Sequence, residues 1–188
     1  MAFLRSLYIH NVFFRYIAVL SACFVISYWL PVLYPIAWVL VFLLLALFFL
    51  DLYLMYGTKD AIKAHRNLPQ KLSNSDENIL SVHLGSKYPF KTGVSVIDEL
   101  PVQFQKRDFV HKTQLQKGEP HFFEYSVRPV ERGEYVFGCL NVFASSPLRI
   151  IKRKYVFQKD QMVPVYPSII QMQQYDFLAT SNRLTEFG

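Results

Sequence analysis

Two cysteines, Cys23 and Cys139, are all that the 188-residue chain contains. Cys23 lies in an apolar run and Cys139 lies far from it in a more polar part, so the two do not form the framework of a disulfide-rich domain. We therefore expect a reduced, cytoplasmic setting for the polar part of the chain.

The sequence also lacks the short motifs that mark common enzymes and metal sites. It has no Gly-x-Ser-x-Gly elbow, no Cys-x-x-Cys pair and no zincin motif. Neighbouring side chains of a strand point to opposite faces, so the adjacent carboxylates Asp98 and Glu99 are not expected to act as an acid–base pair. The histidines, none of which has the spacing of metal ligands, are His10, His65, His83, His111 and His121. These features predict a protein that is not an enzyme and that holds no metal or other cofactor.

Charged residues are absent from positions 16–50, the most apolar part of the chain. A spanning helix needs about 20 apolar residues, so this run is too long for one crossing. Pro31 and Pro35 divide it, and the second apolar stretch follows too closely for a cleaved signal peptide. The aromatic residues beside the break, which are typical of a membrane–water interface, are Trp29, Tyr34 and Trp38. We predict a membrane hairpin over residues 1–57, with transmembrane helices at about 11–30 and 36–56.

Positive charge is concentrated at the two ends of this hairpin. Arg5 and Arg15 flank the start of the first helix without an acidic neighbour. After the second helix, Asp60 is the one acidic residue beside four basic ones, which are Lys59, Lys63, Arg66 and Lys71. Because positively charged flanks stay in the cytoplasm, we expect both ends of the hairpin and the rest of the chain on the cytoplasmic side.

Arg15 and Asp51 are the two charges that interrupt the apolar pattern of the helices. Each lies about 15 residues from the turn, so at a rise of about 1.5 Å per residue the two share a depth near the cytoplasmic face. One hypothesis is that they form an ion pair across the hairpin. The alternative is that each side chain extends separately to the lipid headgroups.

After residue 57 the hydrophobic pattern changes to a period of two. Leu80, Val82 and Leu84, for example, alternate with more polar residues. About seven such short segments, separated by Gly, Pro, Asn and Asp, predict an all-β, Ig-like antiparallel sandwich over residues 58–167. The stretch before Pro69 is expected to extend the second helix by a few turns.

Residues 127–150 predict a β-hairpin whose turn contains Arg132 and Gly133. Gly133 is expected to adopt a positive φ there. A phosphate-binding loop is the alternative, but such a loop needs several glycines, and the neighbouring acids Glu131 and Glu134 would repel an anion. We therefore interpret the pair as a turn that serves the fold.

Two further segments complete the chain. The basic residues Lys152, Arg153 and Lys154 lie on a late predicted strand, where we expect them to protect a sheet edge or to face an anionic membrane surface. Aromatic residues for base stacking do not interleave them, so nucleic acid is not an expected partner. Residues 168–188 regain a helical spacing of apolar residues and predict a helical linker to a C-terminal domain that is missing here.

The order of these segments resembles the N-terminal part of bacterial proteins of the domain of unknown function 58 (DUF58) family. The likeness is carried by YSVRPVERGEYVFGCLNVFASSPL, together with IDELP before it and VPVYPSI after it. In that family the central stretch has the pattern Tyr-x-x-x-Pro-x-x-Arg-Gly-x-Tyr, followed by Ser/Asp-Pro-Leu-Gly-Leu. The matching positions are Tyr125, Pro129, Arg132, Gly133, Tyr135, Ser146, Pro147 and Leu148. Arg149 and Ile150 replace the final Gly-Leu.

The resemblance implies a multi-pass protein of the bacterial inner membrane. It also implies partners, namely a MoxR-type AAA+ ATPase and proteins with von Willebrand factor A domains, and a role in the assembly of envelope-associated complexes. The signature that defines the family, Asp-x-Arg-x-Ile-Asp/Asn-Trp, would follow position 188, so none of its residues is assigned to this chain. We expect the chain to be the N-terminal portion of a longer protein.

Three functions are compatible with these features. The first is a membrane-anchored, non-catalytic scaffold whose sandwich binds protein partners. The second is a stand-alone membrane module that binds a lipid or small ligand between the hairpin and the sandwich. The third is a fragment of an enzyme whose catalytic half is absent. The lipid bilayer is an expected partner in every case.

Overall fold

The computed structural model describes residues 5–106 and 109–167. The predicted helical linker at 168–188 lies outside the described residues. Within them the chain forms two helices followed by an all-β, largely antiparallel domain with the layers of a sandwich. This part of the predicted fold is confirmed.

Two apolar helices form the N-terminal part. α1 spans Asn11–Ile26 and α2 spans Leu33–Tyr56. The rings that meet between the helices are those of Phe13 with Phe48 and of Phe24 with Trp38, at centroid distances of 5.8 and 6.0 Å. Because the start of α1 meets the end of α2, the two helices run antiparallel.

The helix bounds differ from the predicted ones around the turn. The chain leaves α1 after Ile26, and turns fill residues 27–32. Pro35 falls in the first turn of α2, where backbone N–H groups have no helical acceptor, so proline does not interrupt the helix there. α1 is therefore shorter than predicted, and α2 begins earlier.

α2 has the length and the composition of a helix that crosses a membrane. It has 24 residues with a mean hydropathy of 2.6, and 6% of its most apolar window is buried. α1 is also apolar, but its 16 residues are fewer than the roughly 20 of a typical crossing. The described residues thus hold one candidate membrane span near the N-terminus, and crossing by α1 remains a prediction.

Eleven strands occur among the described residues. They are β1 (Leu7–Ile9), β2 (Ile62–Asn67), β3 (Leu72–Ser73), β4 (Asn78–Ser86), β5 (Thr92–Asp98), β6 (Val110–Leu115), β7 (His121–Val127), β8 (Gly133–Phe137), β9 (Leu140–Ser145), β10 (Ile151–Phe157) and β11 (Gln161–Tyr166). A short 3₁₀ helix, Val102–Phe104, lies between β5 and β6.

The strands form three sheets. The largest has the order β1-β10-β9-β5-β6, and the two smaller ones have the orders β2-β4-β7 and β3-β11-β8. Neighbouring strands are antiparallel except β3 and β11, which are parallel. The sheets pack over two hydrophobic clusters. Leu80, Val82 and Leu84 are buried in these clusters, as their alternation predicted.

The predicted extension of the second helix past residue 57 is wrong. The backbone turns at residues 58–60, where Asp60 has a φ of 46°, and β2 then begins at Ile62. Ala61 and Ile62 are buried in the larger cluster. Since a continued helix would carry these apolar side chains away from the sandwich, packing against the sheets decides the conformation of this segment.

The predicted hairpin at residues 127–150 is also wrong. β7 pairs with β4, β8 pairs with β11, and β9 pairs with β10 and β5. Strands that follow one another in the sequence therefore belong to three different sheets. The chain crosses between layers at Arg132-Gly133 and again at residues 138–139, instead of folding back on itself.

An N-terminal strand, which the sequence pattern did not reveal, completes the largest sheet. β1 precedes α1 and pairs antiparallel with β10, so that Ile9 lies opposite Ile151. The basic residues of β10 are consequently not on an edge strand, because β1 covers that side. The sandwich thus includes residues from both ends of the pair of apolar helices.

Asp51 joins the end of α2 to the sandwich. Its side chain is fully buried, and Oδ2 accepts the backbone N–H groups of Ile150 at 3.1 Å and Ile151 at 2.9 Å. Ile151 is the first residue of β10. The acidic residue that interrupts the apolar helix is therefore the acceptor that positions a central strand.

The predicted ion pair between Arg15 and Asp51 is not formed. Arg15 is exposed on α1. Among the residues that the structure describes, the ion pair found joins two other side chains, Arg66 and Asp98. Asp51 binds backbone amides of the sandwich through Oδ2 instead of the Arg15 guanidinium.

The C-terminal carbonyl groups of α2 are bound by side chains of the sandwich. Arg153 Nη1 donates to Met55 O at 2.7 Å and to Thr58 O at 3.1 Å, and its guanidinium lies 4.5 Å from the ring centroid of Tyr56. Tyr88 Oη also donates to Met55 O, at 2.8 Å. A cation at a helix C-terminus satisfies free carbonyls and interacts favourably with the helix dipole.

We predict that Asp51→Ala loosens the junction between α2 and β10. Two buried N–H groups lose their acceptor, which should cost about 2–4 kcal/mol in the free energy of local opening. Hydrogen exchange of the Ile150 and Ile151 amides in the full chain in detergent measures this opening directly. Glu119→Ala, which removes an exposed carboxylate, is the control. Unchanged exchange in Asp51→Ala would show that the carboxylate does not hold the strand.

Candidate functional site

A buried polar cluster lies where the sheets of the sandwich meet. Arg66 on β2 forms an ion pair with Asp98 on β5, and both side chains have 0% exposure. Tyr125 on β7 donates from Oη to Asp98 Oδ2 at 2.5 Å. We call these three residues the Arg66 cluster. They connect the largest sheet to the β2-β4-β7 sheet.

Arg66 also reaches the third sheet. Its Nη2 donates to the Gly138 carbonyl at 3.2 Å and to Gln161 Oε1 on β11 at 3.3 Å. The guanidinium lies 5.1 Å from the ring centroid of Phe137 on β8. The planar guanidinium offers several donors in fixed directions, which suits a position between three layers.

In the Arg66 cluster, the neighbours of Asp98 stabilise its carboxylate anion, and the environment of Tyr125 keeps its phenol protonated. Burial raises the pKa of Asp98, and the Arg66 guanidinium and the Tyr125 hydroxyl oppose this rise by stabilising the anion. Burial, followed by the charge of Asp98, raises the pKa of Tyr125 far above its usual value, so its hydroxyl donates at all ordinary pH values. Because Arg66 and Asp98 are closed to solvent, the cluster joins sheets and does not present a reactive group.

Glu99, the neighbour of Asp98, binds a different part of the chain. Its Oε2 accepts Cys139 N–H at 3.0 Å, and its Oε1 accepts Asn141 Nδ2 at 2.6 Å. The two carboxylates thus have separate partners, as the geometry of neighbouring strand residues predicted. Glu99 holds the short connection between β8 and β9.

The Arg132-Gly133 turn contains a tyrosine corner. Gly133 has a φ of 144°, which confirms the expected positive φ, and Arg132 is exposed. Tyr135 is 1% exposed, and its Oη donates to the Glu131 carbonyl at 3.0 Å. A tyrosine hydroxyl that binds the backbone a few residues upstream stabilises the crossover between sheets in β-sandwiches. These motif residues therefore serve the fold.

The second group of motif residues forms the turn that leads into β10. Ser146 is 2% exposed, and its Oγ accepts Leu148 N–H at 3.1 Å on the far side of Pro147. Arg149 follows with a φ of 54° and donates its N–H to Ser146 O at 3.2 Å. This turn brings Ile150 to Asp51. The structure thus places Tyr125 in the Arg66 cluster and the later motif residues at two separate turns, and it does not unite them in one site.

The outer face of the β2-β4-β7 sheet presents aromatic side chains to the surroundings. Phe122 is 63% exposed, and its ring stacks with that of His83 on the adjacent strand at 6.0 Å. A groove of about 420 Å³ lies beside them, lined in part by His65, His83 and Phe157. An exposed aromatic ring beside a groove is typical of a protein-binding surface.

A metal site is not evident in the described part of the chain, where no group of three or more His, Cys, Asp or Glu side chains converges. His65 and His83 are cross-strand neighbours, but Nδ1 of His65 is hydrogen-bonded to Gln158 at 3.0 Å. Cys23 and Cys139 are both free thiols.

Arg66 and its partners were not identified from the sequence as a cluster. Arg66 was counted among the basic residues that flank the membrane. The sequence does contain one signal for the burial of Arg66. Every second side chain of a strand lies on the same face, so in a strand Arg66 shares a face with the apolar residues Ile62 and Ala64. The partners come from positions 32 to 95 residues away, and only the fold brings them together.

Comparison with known proteins finds similarity of fold alone. No family model matches the chain, and no curated protein matches it. A solved CARDB domain from Pyrococcus furiosus, in complex with di-metal ions, is 14% identical with a TM-score of 0.37, and the match covers 56% of this chain and 87% of that one. The beta-glucosidase from Listeria innocua in complex with glucose is 16% identical with a TM-score of 0.33.

The glucosidase match covers 57% of this chain and 16% of the enzyme. A similar partial match is found to beta-glucosidase 3B from Thermotoga neapolitana, also in complex with glucose. It is 18% identical with a TM-score of 0.28, and the match covers 20% of that chain. This chain therefore corresponds to a small part of either enzyme. At these scores the similarities carry no argument about activity.

We predict that Arg66→Met destabilises the sandwich by about 3–5 kcal/mol, because Asp98 would then be a buried carboxylate without its cation. The double variant Arg66→Met/Asp98→Leu should lose less than Arg66→Met alone, since no unpaired charge remains. Chemical denaturation followed by circular dichroism measures both. Arg132→Met, at an exposed arginine, should change stability little. A double variant that is less stable than Arg66→Met would contradict this account of the ion pair.

We also predict that Tyr135→Phe lowers the free energy of unfolding by about 1 kcal/mol, because the Glu131 carbonyl loses its donor while the ring still fills the core. The same denaturation experiment detects the loss. Tyr166→Phe, at a side chain that is 54% exposed, is the matched control. Equal stability of Tyr135→Phe and the native chain would mean that the corner hydrogen bond contributes nothing.

Proposed function

We propose that this protein is a membrane-anchored, non-catalytic scaffold that acts in the assembly of envelope-associated complexes. Its proposed partners are a MoxR-type AAA+ ATPase and proteins with von Willebrand factor A domains. The partner classes come from the resemblance to the DUF58 family. The chain contributes a sandwich held directly against an apolar helix.

The attachment of the sandwich to α2 is the observation that carries the proposal. Asp51 binds the start of β10, and Arg153 and Tyr88 bind the Met55 carbonyl at the end of the helix. A domain held this way cannot swing on a flexible linker. It therefore offers its surfaces to partners at a constant height and orientation above the membrane.

We further propose a multi-pass location in the bacterial inner membrane, with both ends of the hairpin and the sandwich in the cytoplasm. The antiparallel helices support this, because β1 before α1 and β2 after α2 both belong to the sandwich. The start of α1 and the end of α2 must then lie on the same side. The positive charges near these ends favour the cytoplasmic side.

An Ig-like assignment of the sandwich is part of the same proposal. The crossover of β7 and β8 between sheets, and the tyrosine corner at Tyr135, are features that Ig-like domains use. Domains of this kind occur widely as binding modules in larger proteins.

The partner surface that we propose is the outer face of β4 and β7 around His83 and Phe122. Phe122 is an aromatic side chain exposed beside a groove, the arrangement in which one residue contributes a large share of binding energy. In the topology proposed above, the sandwich and this face lie on the cytoplasmic side of the membrane.

The proposal predicts that Phe122→Glu disrupts partner binding without unfolding the protein. Affinity purification of the tagged chain from its own membranes should enrich an AAA+ ATPase or a von Willebrand factor A protein. We expect Phe122→Glu to reduce this enrichment about tenfold or more, because the complex would then bury a carboxylate where the native complex buries an aromatic ring. Val102→Glu, at a residue that is 81% exposed elsewhere on the sandwich, is the control.

Two outcomes count against this proposal. Failure of the native chain to enrich either partner class would contradict the scaffold function. Equal enrichment by Phe122→Glu and the native chain would show that the partner uses another surface.

A further inference from the structure

A surface cavity of about 280 Å³ lies at one end of the largest sheet, on its outer face. Three basic side chains line it, those of His10, Lys112 and Arg149. Apart from Val94, the other lining residues are small or polar, and they are Gly93, Ser95, Thr113, Gln114 and Ser145. The volume is well above the roughly 30 Å³ that one water molecule occupies in the liquid.

The cavity lies at the end of the sheet that meets the membrane hairpin. Arg149 immediately precedes Ile150, whose N–H is bound by Asp51 of α2. His10 immediately precedes α1, and its Nδ1 accepts Val12 N–H at 3.1 Å. In a neutral imidazole this leaves the ring proton on Nε2 as a donor. The cavity is thus formed where both helices enter the sandwich.

The sheet that carries the cavity has an excess of positive charge. Among the residues of its five strands, Asp98 is the one acidic side chain, and Arg66 neutralises it within the core. The outer face carries Lys112, with Lys152 paired to the cavity residue Ser145 across β10 and β9. A concave site lined by one sign of charge concentrates anions.

Gly93 opens the floor of the cavity. A Cβ atom at this position would lie 2.8 Å from Ser145 Oγ, so any larger side chain would fill the space. Ser145 Oγ donates to the Gly93 carbonyl at 3.1 Å, so its hydroxyl hydrogen is used within the floor of the cavity. The pair Gly93 and Ser145 lies on adjacent strands in direct register.

Arg149 is held in a backbone conformation that an arginine adopts at a cost. Its φ of 54° lies in the left-handed region, where glycine is favoured. A glycine would close the same turn with less strain, so the backbone alone does not require this residue. Other non-glycine residues, such as Asp60, also have a positive φ at turns, so it is the position of Arg149 in the cavity that supports a ligand site.

We propose that His10, Lys112 and Arg149 form a binding site for a phosphate group. Guanidinium and ammonium groups are the preferred protein donors to phosphate oxygens, and a hydroxyl such as that of Ser95, which also lines the cavity, can donate a further hydrogen bond. The cavity lies beside the helices proposed to enter the bilayer, where the headgroup of an anionic phospholipid is at hand. A soluble phosphate ester has the same binding chemistry. The inference rests on the cavity and extends beyond the scaffold function, because a ligand site does not depend on partner proteins.

The test uses the full chain purified in detergent. Native mass spectrometry measures how many phosphatidylglycerol or phosphatidylcholine molecules each variant retains, and calorimetry with inorganic phosphate or glycerol 3-phosphate measures soluble ligands. We expect retention of phosphatidylglycerol over phosphatidylcholine, and a loss of about tenfold or more in Arg149→Gly and in Lys112→Gln. Lys159→Gln removes an exposed lysine on the loop between β10 and β11 and should have no effect.

Arg149→Gly separates binding from folding. Because glycine fits a positive φ, this variant should unfold at the same temperature as the native chain or a higher one while its ligand is lost. Arg149→Lys keeps a cation and should recover part of the binding.

The outcomes distinguish the two sources of phosphate. Selective loss of phosphatidylglycerol in the two cavity variants supports a lipid headgroup. Binding of inorganic phosphate or glycerol 3-phosphate that is lost in the same variants, without a preference between lipids, supports a soluble phosphate ester. Phosphatidylglycerol retention that is equal in all variants, together with no binding of the soluble phosphates, would overturn the proposal.

Discussion

The carboxylate of Asp51 connects the two parts of this molecule. A charged residue in an apolar helix is costly unless polar groups bind it, and here the backbone N–H groups of Ile150 and Ile151 bind Oδ2 of Asp51. The other carboxylate oxygen, Oδ1, is buried without a hydrogen-bond partner among the described residues. Arg153 and Tyr88 bind the end of the same helix. Together with the pairing of β1 and β10, these hydrogen bonds set the orientation of the largest sheet relative to the two apolar helices.

A second buried polar arrangement holds the sandwich together. Arg66 lies on the β2-β4-β7 sheet and donates to Asp98 of the largest sheet and to Gln161 of the third sheet. Asp98 accepts hydrogen bonds from both Arg66 and the Tyr125 hydroxyl. A buried ion pair adds little to the free energy of folding, but an arrangement that separates its partners leaves an unpaired buried charge and is strongly destabilised. The pair therefore specifies how the layers meet. The cluster and the Asp51 junction lie on β5 and β10 of one sheet, which therefore joins the core to the membrane helix.

Several turns that resemble functional loops are explained by this architecture. Gly133 takes a positive φ so that the chain can pass between sheets, and Tyr135 locks that passage to the Glu131 carbonyl. The turn containing Pro147 delivers Ile150 to Asp51. Arg149 is the exception, because its strained backbone position places a cation in a cavity and not in the core. Arg149, with its proposed role in ligand binding, thus lies between Pro147 and Ile150, which serve the fold.

The sequence by itself determined which segments are apolar helices and which residues of β4 face the core, because both follow from local periodicity in a single segment. The positive φ of Gly133 was equally local. Tertiary structure decided that residues 62–67 form a strand, that Leu7–Ile9 join β10, and that Asp51 binds backbone amides instead of Arg15. Those outcomes require partners roughly 20 to 140 residues away, and a local pattern holds no information about which distant group completes a hydrogen bond or covers an apolar side chain.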